Sequence, residues 1–157
     1  MQVTRQTVRD QRDWVRDRGA VVVPLANAVR SELSVAFGVE VGEIDPEDYR
    51  EAVADVFADG ARAVNVATLV GMLRDLDVTD DYPGFVIDEY LGRELAAMIA
   101  GEQPLRLLAE ATFHYVDVHS HTEGVAGADD LDAALAAGFQ TRLPGWEWTT
   151  TDPFGTE

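Results

Sequence analysis

Apolar residues in this chain recur three and four positions apart, and Gly, Pro and Asp cut that pattern into helix-length pieces. Leu25, Val29, Leu33, Ala36 and Phe37 run up to Gly38. Tyr49, Val53, Val56 and Phe57 run up to Gly60. Val66, Leu69, Val70, Leu73 and Leu76 share one face, and Ile87, Leu91, Leu95 and Met98 share another that stops at Gly101. Pro104 opens a further stripe through Leu105, Leu108 and Thr112, and a short helix over about 130–137 ends at Gly138. The punctuation agrees with the period. Asp45-Pro46-Glu47-Asp48 combines an Asp cap, Pro at the first helical position and acids in the first turn. Thr4 caps a helix that runs to about Arg18, with Gly19 past its end, and Pro24 suits the first turn of the next. The chain is therefore expected to be mainly α, a bundle of five or six helices.

Two stretches depart from the helical period. Tyr115-Val116-Asp117-Val118-His119-Ser120-His121 alternates with period two and reads as a short extended segment near 115–121. Residues 139–157 carry no helical period and read as an irregular, extended C-terminal tail holding Trp146, Trp148 and Phe154. The organisation expected is a polar helical arm over 1–18, a helical domain over 19–138 and the tail over 139–157. Val21-Val22-Val23 reads either as an extended lead-in or as the first turn of the second helix.

Charge sets the environment. There are 29 acidic residues against 12 basic ones, all arginine, for a net charge of -17, and isoleucine occurs three times. Such a composition resembles that of proteins from extreme halophiles, haloarchaea or their viruses. In molar salt the Debye length falls to about 3 Å, so self-repulsion is screened while the carboxylates keep the surface hydrated. Residues 1–18 are the exception: Arg5, Arg9, Arg12, Arg16 and Arg18 outnumber three aspartates and leave that segment at +2 and the remainder at -19. A basic arm also suits nucleic acid, but alternating Arg and Asp favours a solvated helix laced with ion pairs. No nucleic-acid partner is expected. No membrane partner is expected either, since no apolar stretch approaches the roughly 20 residues of a span, and no charged segment followed by an apolar one opens the chain as a secretory signal would. Cysteine is absent, which excludes disulfides and thiol nucleophiles.

The sharpest local motif lies in the alternating segment. Asp117-Val118-His119-Ser120-His121 resembles the first-strand Asp-x-His-x-His of metal-dependent hydrolases of the amidohydrolase and PHP kinds. An extended chain would point Asp117, His119 and His121 to one side, as a metal requires. In those families the remaining ligands come from later strands of a large barrel; here 36 residues follow His121 and none is a histidine. The segment is therefore read as the polar face of an edge, with no metal, no cofactor and no catalytic residue expected. Neither a Gly-x-Ser-x-Gly elbow nor a phosphate-binding Gly-rich loop with a Lys is present.

A small helical core, a projecting polar helix and an aromatic tail together resemble the head–tail connector (adaptor) proteins of tailed viruses. That resemblance implies a non-enzymatic structural protein that packs as a ring and docks through its termini on other protein subunits, as a homo-oligomer or larger assembly. The partner-binding residues expected are Arg5, Arg9, Arg12, Trp14 and Arg16 on the arm and Trp146, Trp148 and Phe154 on the tail. The setting expected is a high-salt cytoplasm, or the virion. A halophilic interaction or regulatory module is the second reading, and a metal-dependent hydrolase-like protein using Asp117, His119 and His121 the third.

Overall fold

The computed structural model describes residues 1–76, 87–120 and 128–145, which form seven helices. They are α1 (Arg5–Asp17), α2 (Gly19–Phe37), α3 (Pro46–Ala58), α4 (Gly60–Asp75), α5 (Ile87–Ala100), α6 (Leu105–Ser120) and α7 (Ala128–Gln140). The mainly helical class follows from the period. Among the described residues the helices number seven, against an expectation of five or six.

α7 is the hub. It packs against α5 and α6 to form one three-helix unit and reaches α2, α3 and α4 from its other sides. α1 lies across α3 and α4. Small side chains make the α5–α7 contact close: Ala96, Ala97, Ala133, Ala134 and Ala137 are all fully buried. A Cβ at Gly138 would come within 2.8 Å of the Ile99 side chain and 3.1 Å of the Ala96 Cα. Gly138 is thus a point of close helix approach, and α7 continues past it to Gln140 instead of stopping there.

The same continuation corrects the tail. Phe139 and Gln140 belong to α7 and are fully buried, and Leu143 is buried beyond them. The boundary expected at 138 falls inside a helix, and Phe139 and Leu143 join the core. Residues 146–157 lie outside the described residues.

The extended segment expected near 115–121 is also corrected. Residues 115–120 are the last turns of α6, and His121 lies outside the described residues. Ala109, Phe113 and Val116 are buried at four- and three-residue spacing, so the helical stripe opened by Leu105 continues through them. Alternation and helical period coincide over so few positions, and packing against α5 and α7 selects the helix. Positions two apart on a helix lie about 200° apart around its axis. A face shared by positions 117 and 119 is a property of extended geometry, not of a helical backbone.

Near the N-terminus, the chain does not turn at Gly19. Arg18 keeps right-handed helical geometry (φ -73°, ψ -2°), and α2 begins at once, so Val21–Val23 are its first turns and Pro24 lies inside it. α2 does end at Gly38, in the left-handed region at φ 63°, where glycine meets no Cβ penalty. α2, 19 residues long with an 18-residue stretch of mean hydropathy 1.3, is the one described helix long and apolar enough to cross a membrane, against the expectation that no stretch approaches a span. Its Val22, Val23, Ala26 and Val29 are packed into the core.

The connector after α2 is clipped back onto it by side chains. Asn27 Nδ2 donates to the Ile44 carbonyl at 3.0 Å and Asn27 Oδ1 accepts from the Ile44 amide at 2.9 Å. Arg30, 1% exposed, donates from Nε to the Gly42 carbonyl at 2.5 Å, from Nη1 to Gln140 Oε1 at 2.7 Å, and from Nη2 to the Pro144 carbonyl. Gln140 Nε2 in turn donates to the Ala26 carbonyl at 3.0 Å. One guanidinium thus holds α2, the connector and the end of α7 together, each acceptor a backbone or amide oxygen that burial would otherwise leave costly.

Candidate functional site

The helices that carry the arm arginines are built and aimed by their caps. The Thr4 hydroxyl accepts from the Thr7 amide at 3.1 Å, while the Thr4 amide donates to Thr7 Oγ1 at 3.3 Å. On α3, Asp45 Oδ1 accepts from the Glu47 and Asp48 amides, both at 2.9 Å, and Asp48 Oδ2 accepts from the Asp45 amide. These reciprocal caps satisfy amide groups that a helix start leaves open. The two helices are then joined through Tyr49, whose hydroxyl donates to the Val15 carbonyl at 2.7 Å and whose ring meets Phe139 edge-on at 5.3 Å.

With α1 and α3 so placed, a groove of about 510 Å³ opens along their seam. Arg12, Arg16 and Arg50 line it together with Val53, Ala54, Phe57 and Ala58, and no carboxylate is among the lining residues. Its volume falls within the range of roughly 300–1,000 Å³ usual for ligand-sized pockets. The arginines have neighbours on their own helices. Arg12 bonds Asp13 at 2.9 Å, Arg16 reaches Asp13 at 3.4 Å and Asp17 at 3.3 Å, and Arg50 meets Glu47 at 2.5 Å. The hydrogen bond that Arg50 donates to the Glu47 carboxylate raises the Arg50 pKa above its ordinary value, so this cation stays charged. Pairs this exposed are screened by solvent and salt and hold their partners weakly.

The other arm residues go elsewhere. Arg5 and Arg9 are exposed, and Arg9 donates to Gln6 at 2.9 Å. Trp14 is half-buried against the core, with the Arg74 guanidinium 4.5 Å and the Arg18 guanidinium 5.5 Å from its ring centroid. Arg18 forms a two-toothed pair with Asp132 of α7, at 2.7 and 2.6 Å from Nη2 and 3.0 Å from Nε. Trp14 therefore stitches α1 to α4. Trp146, Trp148 and Phe154 lie outside the described residues.

Sequence reasoning missed the α3 half of the groove. Its signal was present: Arg50, Ala54, Phe57 and Ala58 follow one another at four, three and one positions beside the buried Tyr49, Val53 and Val56 stripe, a second strip headed by a cation. A second concavity of about 300 Å³ is lined by Arg62, Asn65, Met98, Gly101 and Arg106, but also by Asp59 and Glu102. Its charges are mixed. Burial, reinforced by Arg62, holds the nearby Arg142 guanidinium below its ordinary pKa. Among the described residues, no group of three or more His, Cys, Asp or Glu side chains gathers as a metal site would.

The fold defines a mainly α protein whose seven described helices are organised around the last of them. The chain belongs to a family described as "Domain of unknown function (DUF7984)", whose model matches residues 1–157. No curated protein and no solved structure gives a match.

Proposed function

We propose that this protein is a non-enzymatic assembly protein of a halophilic system that docks on other protein subunits through α1 and its C-terminal segment, as a component of a virion head–tail connector would. One observation carries the reading: three of only 12 basic residues converge with an apolar floor on one groove, in a chain of net charge -17. A surface that is acidic for solubility has no need to gather its cations, and Arg beside aromatic and aliphatic groups is the composition of protein-binding surfaces. The setting that goes with it is a high-salt cytoplasm or the virion.

The test is the native mass in molar salt, by light scattering or sedimentation. A defined multimer is the expected result. A monomer at every concentration that can be reached would sink the reading as self-assembly.

A further inference from the structure

We propose that the α1–α3 groove receives residues 146–157 of a second copy of this chain, so that copies join head to tail. This rests on the docking reading above and names its partner.

The argument is one of complementarity. Residues 146–157 contain Glu147, Asp152 and Glu157, no cation, and the aromatics Trp146, Trp148 and Phe154. The order Trp-Glu-Trp sets a carboxylate between two indoles. The groove offers the converse: Arg12, Arg16 and Arg50 at its rim, and Val53, Ala54, Phe57 and Ala58 along it. In molar salt only charges in direct contact still interact, so the groove's three arginines count as contact partners for the segment's carboxylates. Arg–carboxylate pairing and Arg stacking on indole are both available at the groove. This chain already uses the second at Trp14, between Arg74 and Arg18.

The last described residue is Gly145, beside Val41 and Arg30. Neither of these residues lines the groove. In the proposed contact the donor is residues 146–157 of one copy and the acceptor is the α1–α3 groove of another, the arrangement of a heterologous contact, which closes into a ring or extends into a filament.

Two full-length variants in molar NaCl decide the matter. One carries Arg16→Glu and Arg50→Glu in the groove; the other carries Trp146→Ala and Trp148→Ala in the segment. Each alone is expected to lose association by tenfold or more, roughly the effect of one hot-spot residue, while keeping its helical circular dichroism. Mixed in equal amounts they should form a one-to-one heterodimer, because one intact segment then meets one intact groove. If the groove variant loses its helical signal, Arg12→Glu with Arg16→Glu, both on α1, replaces it. A wild-type multimer whose mass survives either variant, or a mixture that stays monomeric, overturns the head-to-tail contact and leaves the docking reading standing. A wild-type monomer overturns both the head-to-tail contact and self-assembly, including the case in which the segment folds onto its own groove.

Discussion

Arg30 is where three segments meet, and its replacement should be felt in all of them. Arg30→Ala leaves the Gly42 and Pro144 carbonyls and the Gln140 amide oxygen without their donor, and opens a cavity in place of a side chain that is 1% exposed. A loss of about 3 kcal/mol or more is expected, read as a lower denaturation midpoint in molar salt. Tyr49 permits a sharper test. Burial, aided by the Asp132 charge and opposed by Arg18, pushes its phenol far above the ordinary value of 10.0. With the folded pKa raised above the unfolded one, Tyr49 contributes stability that is fully present below about pH 9. That stability falls as pH climbs past 10, where only the unfolded chain releases the proton. The slope should approach 1.4 kcal/mol per pH unit. Tyr49→Phe should lack this alkaline limb and cost about 1 kcal/mol at neutral pH, since the Val15 carbonyl loses its donor.

At the scale of the elements, the caps were legible and the close contacts were not. Asp45 and Thr4 announce their helices because side-chain oxygens must satisfy free amides at those positions. Gly138 has no such local signature. It reads as a helix stop, and only the neighbouring Ile99 reveals that it is small so that α5 and α7 can approach. Gly138→Ala is therefore expected to destabilise by about 1–3 kcal/mol through overpacking, although alanine is the better helix former. A thermal melt that rises in this variant would show that the two helices have slack. The end of α6 failed for a related reason: over Tyr115 to Ser120 the local pattern admits two periods, and the choice is made by Phe113 and Val116 packing against other helices. Likewise the arm half of the groove could be read from Arg12 and Arg16, while the α3 half depends on which residues α1 leaves uncovered.

For the whole molecule, charge and chain length give separate tests. With -19 over residues 19–157, dialysis to about 0.1 M NaCl lengthens the Debye length to about 10 Å and restores the self-repulsion. Loss of helical circular dichroism is expected on that step, and a full native signal would remove the halophilic argument. Truncation should separate fold from assembly. Taken from the sequence, a cut before residue 140 would spare the fold. With Gln140 and Leu143 buried and Pro144 bonded to Arg30, that cut should abolish the cooperative melt. Removal of 146–157 should preserve the melt and abolish association.

The position of α7 as hub has a consequence for how the chain is made. Synthesis runs from the N-terminus, and α7 is translated after every helix it packs against. Until residues 128–144 emerge, Arg30 lacks two of its acceptors and the alanine face of α5 has nothing to close on. At roughly 5–20 residues per second, the nascent chain spends seconds as helices without a centre. This fold completes in one late step at its C-terminal side, and a ribosome stalled before α7 should display a protease-sensitive chain.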